Sequence, residues 1–325
     1  MRALSKLKLP LIIVLSVFMF VSCSDDDDAT PVVPPTQTIT ELAVSNTDLT
    51  TLVTALQRVG LDTTLSGAGP FTVFAPTNAA FAQLLTDLGA TSLDDVDDAT
   101  LENILLNHVI SGSFQSGALT TGYGNTLATN ADGDALSIYI DTTSGVSLNG
   151  IADVTGADNL ASNGVVHVVN AVITLPTIVD FATSNPALSN LVAAVQSADS
   201  QDPSPDLIGT LSGATVFTVF APTDDAFAAL LLELDDTGMT GLGDLDPAVV
   251  EDVLLIHVVS GNIRSTDLTD DTVMTLGGDI TIDATNLTIT DPNLREIGII
   301  ASLVDIQGIN GVVHAVDRVI RPAAE

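Results

Sequence analysis

The chain has 325 residues, 46% hydrophobic but only 4% aromatic and without tryptophan, which suits two domains with aliphatic cores of Leu, Val, Ile and Ala around ten Phe. Eight Lys and Arg stand against 41 Asp and Glu, a net charge of −33 that disfavours nucleic acid or a directly bound anionic lipid, since both need clustered cations. The acidity reads either as a solvated surface that keeps the protein soluble in salt, or as carboxylates for a divalent cation such as calcium, although no twelve-residue calcium loop is present.

Residues 1–22 open with Arg2, Lys6 and Lys8 and continue in an apolar stretch from Leu9 to Val21, too short for a comfortable membrane span. This is the layout of a signal peptide. It stops at the only cysteine, Cys23, after Phe20-Val21-Ser22. A lone Cys in an exported chain has no disulfide partner. The junction resembles the lipobox of bacterial lipoproteins, with Phe20 where Leu is usual, and the resemblance implies lipid attachment at Cys23. Asp25 to Asp28 then read either as a solvated spacer or, by resemblance, as the acidic signal that sends some lipoproteins to the outer face of the outer membrane. The Pro/Thr-rich run from Thr30 to Thr36 completes a semi-rigid tether over 23–37. Beyond the leader the chain has five arginines and no lysine.

Leu49, Leu52, Val53 and Leu56 have helical spacing. Phe71 to Ala75 alternates like a strand that Pro76 ends, and Thr77 is placed to cap a helix turning Phe81, Leu84, Leu85 and Leu88 inward. A third helix follows Asp97, with Leu101, Ile104, Leu105 and His108 on one face. The β-branched stretches from Ala135 to Ile140 and from Gly164 to Ile173 read as strands.

The same series then returns. Phe71-Thr72-Val73-Phe74-Ala75-Pro76-Thr77 reappears at Phe217 to Thr223, Leu105-Leu106-Asn107-His108-Val109 as Leu254-Leu255-Ile256-His257-Val258, and Asn163-Gly164-Val165-Val166-His167 at Asn310 to His314. Thr38-Ile39 matches Thr177-Ile178, and extra residues fall in a turn-forming segment around Ser197 to Leu207. The second copy carries its own helix of Leu188, Leu191, Val192 and Val195, capped by Asn185-Pro186. Its capped helix has Phe227, Leu230, Leu231 and Leu234, and its strands are expected at Asp279 to Ala284 and Gly311 to Ile320. With helices gathered early and strands late in each copy, the fold class is α+β.

These motifs, all in order in both copies, resemble the two signature boxes and the central His segment of the fasciclin domain. The resemblance implies two tandem domains, 38–175 and 176–322, each a wedge of β-sheets packed with helices, and a role in adhesion or matrix binding. In animal members a Tyr before the central His is implicated in integrin contact. Asn107 and Ile256 stand there, so that role does not carry over.

The four histidines, His108, His167, His257 and His314, are read as structural motif residues satisfied by internal hydrogen bonds, with no metal or cofactor assigned to them. No His-Glu-x-x-His, nucleophile elbow or phosphate loop is present, and carboxylate pairs such as Asp94-Asp95, Asp97-Asp98 and Asp235-Asp236 are better placed as helix caps than as an acid/base couple. The reading is of a non-enzymatic, lipid-anchored surface protein that binds a polysaccharide, a matrix polymer or an envelope protein, and meets the membrane through its anchor alone. The alternatives are a periplasm-facing accessory protein and, needing two converging carboxylates, a glycan hydrolase.

Overall fold

The computed structural model describes residues 34–235 and 237–323. Cys23 and the leader lie outside them. Pro35–Glu325 forms one compact unit. Each copy starts with a reciprocally capped helix: Thr38 caps α1 (Ile39–Ser45) while its amide donates to Glu41 Oε2 at 2.8 Å, and the second copy repeats this with Thr177 and Asp180 at 2.7 Å.

In the first copy α2 (Thr50–Val59) and α3 (Leu61–Ser66) follow, joined by Gly60 alone, whose φ of 76° gives the left-handed turn between them. Then come β1 (Phe71–Pro76), α4 (Asn78–Asp87), α5 (Asp98–Leu106), β2 (Val109–Ser111), β3 (Gly122–Thr129), β4 (Ala135–Asp141), β5 (Ser147–Leu148), β6 (Ala152–Ala161) and β7 (Gly164–Val169). The second copy runs α6 (Ile178–Ser184), α7 (Ser189–Asp199), α8 (Leu207–Ser212), β8 (Phe217–Pro222), α9 (Asp224–Leu234), α10 (Pro247–Leu255), β9 (Val258–Ser260), β10 (Asp271–Thr275), β11 (Gly278–Asp283), β12 (Thr288–Thr290), β13 (Glu296–Gly298), β14 (Ile306–Gly308) and β15 (Gly311–Val316).

The first signature strand lies at the centre of each sheet. β1 pairs antiparallel with β2 and parallel with β7, and β8 does the same with β9 and β15. Such strands are covered on both faces and read as apolar runs, as these do. The seven strands of the first copy close into a barrel through the single pair Ile110 to Thr126 between β2 and β3. In the second copy the equivalent junction is one bond, Leu276 amide to Val258 carbonyl at 2.8 Å, and the strands form two four-stranded sheets. Helices α1 to α5 and α6 to α10 cover one side of each sheet system, over separate aliphatic cores.

Three sequence expectations need correction. Leu88 and Leu234 are 56% and 52% exposed: they share the face of Phe81 and Phe227 seven residues earlier, but Leu88 is the cap that follows α4 and Leu234 is the last residue of α9, where the helix has run past the core. His108 and His257 lie just beyond the ends of α5 and α10, after the caps Asn107 and Ile256, rather than on a helical face. The strands expected to reach Ile173 and Ile320 end at Val169 and Val316. Both isoleucines are nevertheless buried, and their amides turn to histidine rings instead of a neighbouring strand.

The two copies are joined by more than the peptide link. The β3–β4 hairpin of the first packs on the second: the Gln307 amide in β14 donates to the buried Ser137 hydroxyl at 2.9 Å, and Arg264 Nη1 reaches Asp134 at 2.9 Å. Both tyrosines of the chain are here. The Tyr123 ring meets Tyr139 at 5.0 Å and Phe181 edge-on at 5.7 Å, and its hydroxyl accepts from Asn185 Nδ2 at 3.2 Å. Burial pushes the Tyr123 phenol up to about 12.

Candidate functional site

The repeated motifs converge on one arrangement at the centre of each copy. The signature Thr72 hydroxyl donates to the Gly112 carbonyl at 2.8 Å and accepts from the Phe114 amide at 2.8 Å. Thr218 does the same with Gly261 and Ile263 at 2.7 and 2.9 Å. Thr77 and Thr223 cap α4 and α9, accepting from Ala80 and Ala226. Phe74 and Phe220 are fully buried, and each faces the strand histidine of its copy, with ring centroids 5.7 and 5.8 Å apart.

The Asn-Gly pair before β7 and β15 ties three elements together. Asn163 Oδ1 accepts from the Ile39 amide at 2.9 Å while its Nδ2 donates to the carbonyls of Leu65 and Gly67, both at 2.8 Å. Asn310 repeats the set with Ile178, Leu211 and Gly213 at 3.0, 2.7 and 2.9 Å. The next residue must be glycine: a Cβ on Gly164 or Gly311 would stand 2.0 or 1.9 Å from the carbonyl oxygen of Phe71 or Phe217.

Both ring nitrogens of each histidine are occupied by backbone. His108 Nδ1 donates to the Ile104 carbonyl at 2.7 Å and Nε2 accepts from the Ile173 amide at 2.9 Å. His257 makes the same bonds with Val253 and Ile320 at 2.6 and 2.9 Å. The strand histidines take the other tautomer: Nε2 of His167 and His314 donates to Phe114 and Ile263, and Nδ1 accepts from the amides of Asp158 and Asp305. A bonded amide N–H at one nitrogen fixes the proton on the other. Burial holds His108 and His257 at about 4 and lowers His314 as well, so all three are neutral at physiological pH.

A repeated pair of residues escaped the sequence reading. Asp158 and Asp305 sit at positive φ, 60° and 55°, and their carboxylates accept from the amide and hydroxyl of Ser116 and Ser265. The Ser116 bonds hold the Asp158 carboxyl below its ordinary range. Ser, Asp and His therefore meet in each copy, but the hydroxyl donates to the carboxylate and the imidazole is bonded to backbone, so no base is aimed at the serine oxygen. The signal was available: Ser116 and Ser265, like Asp158 and Asp305, recur at the repeat offset.

One aspartate of each acidic pair caps a turn or a helix. Asp97 accepts from the Thr100 amide, Asp95 from those of Thr91 and Ser92, and Asp235 from those of Thr237, Met239 and Thr240. The Thr237 bonds, led by its hydroxyl, bring Asp235 down to about 2. Among the described residues no group of three or more His, Cys, Asp or Glu is placed to hold a metal ion, and no helix is long and apolar enough to cross a membrane. Arg58, Arg264, Arg295 and Arg321 all pair with carboxylates.

A family model described as "Fasciclin domain" matches residues 47–176 and 186–322. Helices α1 and α6 lie just ahead of those ranges. Transforming growth factor-beta-induced protein ig-h3 of Sus scrofa is 29% identical over 294 residues, covering 89% of this chain and 38% of that protein. Protein sll1483 of Synechocystis is 40% identical over 139 residues, 43% of this chain and 74% of its own length. Among solved structures, a FAS1 domain pair from the insect cell adhesion molecule fasciclin I aligns with a TM-score of 0.46 and 18% identity, over 84% of this chain and 92% of that one.

Proposed function

Because the chain belongs to the fasciclin domain family, we propose that it is a non-catalytic adhesion or matrix-binding protein, held at the cell envelope by a lipid on Cys23 and displayed at the outer face of the outer membrane. The observation that carries the reading is that the polar residues of the signature motifs are bonded inside the fold. Thr72, Asn163, His108 and His167, with their counterparts, hold backbone and are committed to the fold. Contact with a partner then falls to the outer surface, which is dense in carboxylates and poor in cations. A neutral or cation-bridged polysaccharide suits that surface better than a polyanion does. The basic leader, the lone cysteine and the four aspartates after it support the anchored location.

Two experiments test this. Binding of Pro35–Glu325 to a panel of matrix and envelope polysaccharides, with calcium and then with chelator, should give saturable binding to one glycan class; no binding to any of them redirects the search to a protein partner in the envelope. Radiolabelled palmitate should enter the intact protein and be lost on Cys23→Ser. Equal labelling of both would remove the anchor from the proposal.

A further inference from the structure

The second copy holds a cavity of about 340 Å³ among α6, α7, α8 and α10 over strand β8. Its walls are aliphatic and include Leu191, Leu207, Val219, Leu254 and Val313. No Lys or Arg lines it, and its one carboxylate, Glu251, already accepts from Gln201 Nε2 at 2.9 Å.

The first copy is an internal control for that space. There Gly60 alone joins α2 to α3, and the Thr40 hydroxyl of α1 donates to the Asp62 carbonyl of α3 at 3.1 Å, drawing the helices together. In the second copy residues 200–206 separate α7 from α8, and Val179, which has no hydroxyl to donate, stands in the place of Thr40, with Ile208 in that of Asp62. Ala43, Leu56 and Leu65 are buried, whereas their counterparts Ala182, Val195 and Leu211 are half-buried, and Val195 is one methylene smaller than Leu56. The same slot is filled by protein in one copy and open, with an apolar rim, in the other.

We propose that this cavity binds an unbranched, uncharged aliphatic chain, such as that of a fatty alcohol or a neutral lipid ester. An apolar cavity of ~150 Å³ takes benzene, so one of this size holds roughly a dozen carbons. An anionic headgroup is selected against, because the lining supplies no cation and a carboxylate would be desolvated beside Glu251. This site is separate from the surface through which adhesion is proposed.

Titration calorimetry of Pro35–Glu325 with 1-octanol, 1-decanol and decanoate at pH 8 tests it. Saturable one-to-one binding of decanol is expected, about tenfold or more tighter than octanol, since each buried methylene is worth about fourfold. Decanoate should bind at least tenfold more weakly than decanol. Two variants address the site: Ala182→Leu with Val195→Leu fills the slot, and the rim variant Val179→Thr, at a half-buried position packed against the core, restores the hydroxyl that ties the helices in the first copy. Each should weaken decanol at least tenfold while its thermal transition stays cooperative, and the rim variant decides the matter if the filled one does not fold. Absence of saturable binding by either alcohol, or undiminished decanol binding in a folded variant, overturns the site; equal binding of decanoate and decanol overturns the uncharged ligand.

Discussion

Lowering the pH from 7 to 4.5 should destabilise both copies through His108 and His257. These rings are 1% and 2% exposed, and burial keeps their folded pKa at about 4, whereas an unfolded histidine titrates near ~6.5. The folded value is the lower one, so protons bind preferentially to the unfolded chain. Stability is complete above the unfolded value and declines as the pH falls toward the folded one. Within that window each histidine contributes a slope of about 1.4 kcal/mol per pH unit, and the full shift amounts to roughly 3 kcal/mol per ring. Against a typical total of ~5–15 kcal/mol this is large. His314, lowered by the same burial, acts in the same direction. Carboxylates whose folded values are depressed, such as Asp235, give stability that is lost below about pH 5, so the slope between pH 6 and 5 is the one that reports the imidazoles. Urea unfolding at pH 7, 6, 5 and 4.5, followed by far-ultraviolet circular dichroism because the chain has no tryptophan, measures the slope. A free energy that stays flat or rises as the pH falls refutes the reasoning, as does His257→Gln with an unchanged slope.

Three further outcomes follow from the geometry. Gly311→Ala places a methyl 1.9 Å from the Phe217 carbonyl at a φ of 142°, and should cost about 3 kcal/mol or more, read as a lowered urea midpoint. Asn310→Ala leaves the Ile178 amide and the Leu211 and Gly213 carbonyls without their partner, for about 3 kcal/mol by the same assay; a loss under ~1 kcal/mol would show that water replaces the side chain. Ser137→Ala removes the acceptor of the buried Gln307 amide between the copies, at about 1–3 kcal/mol. Scanning calorimetry should then resolve two transitions, against one expected for the unaltered protein.

The sequence carried much of this architecture because the chain repeats itself. Thr72 and Thr218, Asn163 and Asn310, and the histidine pairs stand at matching offsets, and repetition with change confined to loops separates structural positions from chance. Helix starts were legible from Thr77, Thr223 and Asp97, whose capping depends on nearest neighbours alone. What stayed hidden depends on distant parts of the chain. Barrel closure in the first copy turns on one residue pair between β2 and β3, and no local pattern encodes it. Asp158 and Asp305 needed a left-handed backbone to reach a serine 42 or 40 residues away. The cavity arises from three small differences between the copies, an added segment, a lost methylene and a lost hydrogen bond, each unremarkable when read singly.

The parallel pairing of β1 with β7 also dictates when a copy can be completed. Phe71 aligns with Gly164, Ile39 hangs on the Asn163 side chain, and His108 closes on the Ile173 amide, so the earliest elements wait for the latest. Such distant contacts make folding slow. A chain emerging from its N-terminus can form capped helices at once, but neither sheet centre can assemble until the final strand of that copy has appeared. A partly synthesised copy therefore lacks one of the two neighbours of β1, and the first domain is completed only once β7 and the segment to Ile173 have appeared.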